Sequence, residues 1–343
     1  MKETIGFGII GTGAIARQHA MAIEECPGAR IAAVCDTNLL RAEEFARNYA
    51  VERIYGSVDE MLADPQVLAV SICTPSGTHG QISMAAAKAG KHILCEKPIE
   101  TKAEKIDALV RVVEESGVKM ECVYQRRFQP EARKIKEALD SGIFGRVLTA
   151  SLYMKYYRSP EYYKSAGWRA TWELDGGGCL MNQGVHGVDL IAWFMGGVER
   201  VSAMTRTRLH PIEVEDAAAA AVEYKNGAIG VIECTTCSNP AEHMCIDIYC
   251  ENGAIRWTDE GIQRWSLNGE DLMSQMTGDS FALTAKDDPT KVSHEGHGLL
   301  VADLVESIQE NREPAIGPRE ARNAVDVILG IYRSSQEGRQ VEV

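Results

Sequence analysis

Three short stretches of this 343-residue chain combine residue types and spacings that can do chemistry. The first is Ile9-Ile10-Gly11-Thr12-Gly13-Ala14-Ile15-Ala16, a G-x-G-x-x-A where an apolar run meets an amphipathic one. Glycines there permit a tight turn and close approach of backbone to a pyrophosphate, whose charge meets free N–H groups and a helix dipole. Gly11, Thr12, Gly13, Ala14 and Ile15 are therefore candidate dinucleotide contacts. A second apolar run ends at Asp36, where a carboxylate accepts from both ribose hydroxyls and repels a 2′-phosphate. NAD is expected in preference to NADP, with Arg41 read as a solvated helix residue.

The second stretch pairs Cys73-Thr74-Pro75-Ser76-Gly77-Thr78-His79 with Cys95-Glu96-Lys97-Pro98, each at the end of an apolar run. Ligands of open parallel sheets sit outside the carboxyl ends of the strands, which assigns Thr74, Pro75, Ser76, His79, Glu96 and Lys97 to the cofactor crevice. Lys97, directly after a strand and before a proline that constrains its backbone, is a candidate catalytic group. The third stretch is Gly176-Gly177-Gly178 followed by Asn182, His186 and Asp189. A helix over 180–194 puts Asn182, His186, Asp189 and Trp193 on one face at i, i+4, i+7 and i+11. Asn and Asp beside a histidine can fix its tautomer, which suits acid/base work by His186. Upstream, Tyr156, Tyr157, Trp168 and Arg169 offer aromatic faces for a sugar and a guanidinium for hydroxyls or carboxylates.

Positioning these groups takes two kinds of scaffold. Up to about Cys122, β-rich runs (5–10, 29–35, 67–72, 92–95, 119–122) alternate with amphipathic helical ones (15–24, 39–48, 80–89, 103–116), the pattern of a parallel sheet with crossover helices. After Tyr124 a helix near 130–141 leads to long strands at 147–156, 198–207, 216–224, 229–236, 244–250 and 254–258. Hairpin signals such as Lys225-Asn226-Gly227 separate them, and helices at 299–310 and 318–336 follow. The reading is an α/β protein, with a Rossmann domain over 1–122 and an α+β domain over 123–343. The length agrees, since one domain takes roughly 100–200 residues.

Composition narrows the partners. Thirty-six basic against 49 acidic residues leave a net charge of -13, and no basic cluster exists to hold nucleic acid or an anionic membrane. The longest apolar stretch, around Ala217–Val222, is far short of the roughly 18 residues of a span. Residues Met1–Thr4 predict no secretory leader, and ten scattered cysteines fit reduced, buried thiols in a cytoplasmic protein.

Taken as an ordered set, G-x-G-x-x-A, Asp36, C-T-P-x-x-x-H, E-K-P and G-G-G-x-x-x-N-x-G-x-H-x-x-D resemble the glucose–fructose oxidoreductase/inositol dehydrogenase/MocA family. The resemblance runs nearly the whole chain, including Arg127-Phe128-Gln129-Pro130 and Tyr332-Arg333-Ser334-Ser335. It implies a C-terminal domain with a large, mostly antiparallel open sheet used for homodimer or homotetramer contacts, and nicotinamide-dependent chemistry at a secondary alcohol of a sugar or polyol. It carries the catalytic lysine onto Lys97 and the catalytic histidine onto His186, and adds Arg127, Trp168 and Arg169 to the substrate side. Many members resembling inositol dehydrogenase carry Asp where this chain has Asn182. Asparagine can orient a hydroxyl but not take its proton, so His186 and Lys97 share the proton work. His186 is expected to accept the hydroxyl proton while Lys97 steadies the oxygen, and the motifs leave open the exchange of those roles. The N-Q-x-x-H form leans towards C3 of a hexose, glycoside or nucleotide-linked hexose. The alternatives are inositol dehydrogenation, a glycosidase with tightly bound NAD and no net redox, and a ligand-sensing regulator.

No metal is expected. Cys234 and Cys237 read as opposite faces of one strand, which chelation does not permit. His294 and His297 fall in a polar run at 287–297 that reads as a solvated loop, with His297 capping the next helix.

Overall fold

All six residues of β1 (Ile5–Ile10) are buried, the condition of a strand covered on both faces. It is followed by α1 (Ala16–Glu25), β2 (Ala29–Cys35), α2 (Leu39–Asn48), β3 (Ile54–Tyr55), α3 (Val58–Leu62), β4 (Ala69–Ile72), α4 (His79–Lys88), β5 (His92–Cys95), α5 (Ala103–Ser116) and β6 (Met120–Cys122). The six strands form one sheet in the order β3-β2-β1-β4-β5-β6, with every pair parallel. This computed structural model describes residues 3–275 and 294–343.

The next elements are α6 (Pro130–Asp140), β7 (Val147–Lys155), α7 (Pro160–Lys164), a π-helical turn at Cys179–Gly184 and α8 (Val185–Met195). Then come β8 (Val198–Arg206), β9 (Ala217–Tyr224), β10 (Ile229–Thr235), β11 (Cys245–Cys250), β12 (Gly253–Thr258), β13 (Gly261–Leu267), β14 (Glu270–Asp271), α9 (Glu295–Glu310), α10 (Pro318–Glu337) and β15 (Val341–Glu342). Nine strands make the second sheet, β14-β13-β12-β11-β7-β10-β9-β8-β15. Its neighbours are antiparallel except β7 and β10, which run parallel at its centre. Burial alternates along β9, with Ala218, Ala220, Val222 and Tyr224 inward, as a sheet packed on one face requires.

The chain divides into two units, Met1–Gln125 with Ser293–Arg322 and Arg126–Val292 with Asn323–Val343. In the first, α9 packs on α1, so a segment assigned to the second domain on sequence grounds returns to the first. Two further expectations change. The helix expected over 180–194 opens as a π turn, and the carboxylate of Glu215 takes the N–H groups of Gly178 and Leu180 at its start, both at 2.9 Å. Helix α9 starts at Glu295, so His297 stands in its first turn, not in a loop, and is 1% exposed. The rest of the polar run, 287–293, lies outside the described residues.

Candidate active site

The first unit carries the nucleotide side. Gly11 has φ +87°, and a Cβ there would lie 2.8 Å from the Cys73 carbonyl oxygen, so only glycine closes this turn. A Cβ on Gly13 would meet nothing within 4 Å. No side chain caps α1 and its first turn holds no acid, which leaves its N–H groups directed at an incoming anion. Asp36 follows β2. Its Oδ2 accepts from the Thr12 amide (3.0 Å) and hydroxyl (2.8 Å), and its Oδ1 from the Asn38 amide (2.8 Å). Burial pushes this carboxyl up, but those bonds and the charge of Arg41 outweigh it and hold the group below its ordinary value. It is an ionised, fixed acceptor suited to a ribose diol.

The loops after β4 and β5 are tied together by His79. Its Nδ1 lies 2.7 Å from the Pro98 carbonyl and its Nε2 2.8 Å from the Thr74 carbonyl. The ring is 1% exposed, so it braces both loops from inside. Ser76 is also buried, and Thr74 meets Thr78 hydroxyl to hydroxyl at 2.8 Å. Burial pushes the thiols of Cys73 and Cys95 up, keeping them neutral. Lys97 is half-buried, joined to Pro98 by a cis peptide, and its backbone N–H donates to Glu96 Oε2 at 3.2 Å. Glu96 is buried against His19 and His297.

The second unit carries the other candidates. Gly178 packs so tightly under β9 that a Cβ would sit 1.8 Å from the Glu215 carbonyl oxygen. Glu215 also accepts from the Tyr332 hydroxyl at 2.8 Å, and burial pushes its carboxyl up. From this anchor the π turn delivers Asn182, whose amide donates to Asp175 Oδ1 (2.5 Å) and accepts from Gln183 (2.6 Å). Gln183 donates to the Tyr162 hydroxyl at 2.8 Å and accepts from Arg158 through two nitrogens. Arg169 donates to the same Tyr162 hydroxyl at 2.7 Å, its guanidinium 4.5 Å from the Tyr162 ring centre and 4.8 Å from that of Trp168. His186, half-buried, follows in the first turn of α8.

The π turn takes Asn182 out of α-helical spacing with His186, Asp189 and Trp193, which keep theirs in α8. Asp189 is engaged by Arg127 through Nε (2.8 Å) and Nη2 (2.7 Å), both residues almost fully buried, and the guanidinium lies 5.2 Å from the Trp193 ring centre. Arg127 thus fastens α8. Sequence reasoning missed Tyr162, Gln183, Glu215, His19 and His297. A short Ser-capped turn at Ser159-Pro160-Glu161 was the one local signal, for α7; the others act through contacts distant along the chain. Cys234 is buried on β10, whereas Cys237 lies beyond that strand's end and pairs with Tyr157 in an isolated bridge.

Comparison with known proteins agrees with this geometry. Residues 5–124 match the model of an oxidoreductase family with an NAD-binding Rossmann fold, and residues 132–256 that of the GFO/IDH/MocA C-terminal domain. The uncharacterized oxidoreductase YrbE of Bacillus subtilis is 31% identical over 243 residues, 68% of this chain and 67% of that protein. The inositol 2-dehydrogenase of Rhizobium meliloti is 33% identical over 58% of this chain and 57% of its own. The crystal structure of the WlbA dehydrogenase from Bordetella pertussis, in complex with NADH and UDP-GlcNAcA, superposes with a TM-score of 0.90 at 31% identity, covering 99% of this chain and 98% of that one. Among the described residues no helix is long and apolar enough to cross a membrane. The chain is a member of the GFO/IDH/MocA family of NAD-binding oxidoreductases.

Proposed function

We propose that this chain oxidises a secondary alcohol on an anionic, nucleotide-linked hexose, at C3, with NAD as acceptor. The observation that carries the substrate class is Arg169. Its guanidinium is stacked on Trp168 and Tyr162 and bound to the Ser165 and Tyr162 hydroxyls, and it has no acidic partner among the described residues. In a chain with a net charge of -13, a prearranged guanidinium without a carboxylate suits a substrate that brings one. The similarity to a dehydrogenase complexed with a sugar nucleotide whose sugar is an acid supports this reading.

The backbone of Gly11–Ile15 and the start of α1 receive the pyrophosphate, and Asp36 accepts the adenosine ribose hydroxyls. Bound NAD supplies the hydride acceptor. His186 accepts the proton of the substrate hydroxyl, Lys97 donates a hydrogen bond to that oxygen and stabilises its developing negative charge, and Asn182 orients a neighbouring hydroxyl. Trp168 and Arg169 supply further substrate contacts. The outward face of the second unit's sheet, with Met204, Ile229, Val231 and Tyr249 exposed, is the contact between copies in a dimer or tetramer. The free thiols suit the reducing cytoplasm.

A panel of UDP-linked uronic acids, UDP-linked neutral hexoses, free hexoses and inositols, run with NAD and NADP, tests this. Growth of NADH absorbance with the acidic sugar nucleotides, and a selective loss for them in Arg169→Met, are expected. Turnover of inositols alone, or cleavage without net NADH, overturns it.

A further inference from the structure

His297, which the sequence places in a polar run, is among the most enclosed histidines in the fold. It shares one oxygen with a second histidine. Glu96 Oε1 lies 2.8 Å from His19 Nε2 and 3.3 Å from His297 Nε2, the two rings meeting edge to face with centres 4.9 Å apart. All three side chains are buried, with His19 at 0%. Glu96 Oε2 accepts the backbone N–H of Lys97. Three separate elements therefore converge on the residue before Lys97: α1, which opens at the dinucleotide turn, α9, and the end of β5.

Burial pushes the Glu96 carboxyl up, yet the hydrogen bonds and charges of the two histidines win and hold it well below the ordinary range. An ionised carboxylate only accepts, so both imidazoles present Nε2–H to it. His19 Nδ1 is then a lone pair that takes the Ser71 hydroxyl proton at 2.7 Å, and the Ser71 oxygen is left to accept from the Cys73 thiol at 3.6 Å. His297 Nδ1 is buried without a hydrogen-bond partner among the described residues, which a lone pair tolerates better than an N–H. The charge of Glu96 also acts on Cys73, Cys95 and His79, the first two kept neutral by burial. The three ligand atoms lie close enough together to suggest a metal site. However, 2.8 Å between His19 and Glu96 is a hydrogen-bond contact, tighter than the about 3.3 Å between ligands on one tetrahedral zinc with ~2.0 Å bonds.

We propose that His19 and His297 are positioning residues: they clamp Glu96, and Glu96 fixes the backbone from which Lys97 reaches its substrate and sets a permanent negative charge one residue away. This rests on the reading of Lys97 as a catalytic group, and the charge favours Lys97 as the protonated hydrogen-bond donor, leaving His186 as the base.

Two measurements on the full chain test it. Imidazole nitrogen NMR at neutral pH, with resonances identified by loss in His19→Gln and His297→Gln, should show the Nε2–H form for both; an Nδ1–H form in either overturns the clamp. With NAD and UDP-GlcNAcA as the probe, His297→Leu should lower kcat about 10- to 100-fold while KM and the NADH Kd stay within about threefold, and His297→Gln should recover most of the loss. Glu96→Gln should move the lysine limb of the kcat/KM pH profile to lower pH. A His297→Leu enzyme within about twofold of wild type, an unmoved Glu96→Gln profile, or stoichiometric zinc lost on His297→Leu each overturns the proposal. Should His297→Leu not fold, the Glu96→Gln profile and the NMR decide. If wild type ignores the probe, the substrate reading fails and the NMR alone decides the clamp.

Discussion

Lys97 and the π turn that leads to His186 are held by different means. Around Lys97 the supports are backbone groups and one buried carboxylate: a parallel strand, a cis proline, carbonyls bridged by His79, and Glu96 between two imidazoles. Around that turn they are side chains bonded to side chains, from Asp175 through Asn182 and Gln183 to Tyr162, with Arg158 and Arg169 feeding in. A backbone scaffold takes its geometry from the fold more than from side-chain identity. A side-chain network takes its geometry from each member, so one substitution there leaves its neighbours without partners.

The contrast is tested most severely at its ends. His186→Ala should cut kcat by about 10²- to 10⁴-fold with NADH affinity kept, measured by steady-state rates and fluorescence titration; near-native turnover would remove His186 from the chemistry. Arg127→Met should cost about 3–5 kcal/mol of stability by breaking a buried ion pair, read from urea unfolding. Asp36→Ala should weaken NAD by about 1.5–3 kcal/mol, the scale of a charged hydrogen-bond acceptor, and narrow the preference over NADP. The smallest effect concerns Glu121, which burial and then the nearby charge of Asp303 push well above the ordinary carboxyl range. The native state keeps this proton after the unfolded chain has released it, so stability falls as pH rises from the unfolded carboxyl's value towards the native one. Glu121→Gln should gain about 1–2 kcal/mol at neutral or higher pH and little at pH 4.

The first unit was legible because its signals are local. The boundaries of β1, β2, α2 and α5 fall where the apolar periodicity places them, and the turn at Gly11 declares itself by residue type. The two-residue strands β3, β14 and β15 are too short for periodicity to register. The site was legible in its residue types more than in its geometry. A 3.6-residue period over 180–194 does not reveal a π turn, nor the carboxylate at position 215 that caps its start from a distant part of the chain. His297 looked solvated because its neighbours in sequence are polar, while its partner lies 201 residues away.

That separation sets a timetable for synthesis. When β6 leaves the ribosome every strand of the first sheet has been made, yet Glu96 still lacks His297, and α1 lacks the helix that covers it. At about 5–20 residues per second, the delay before α9 emerges is on the order of 10–40 s. Until then the acid before Lys97 has at most one of its two imidazoles, and one face of α1 has no helix to cover it.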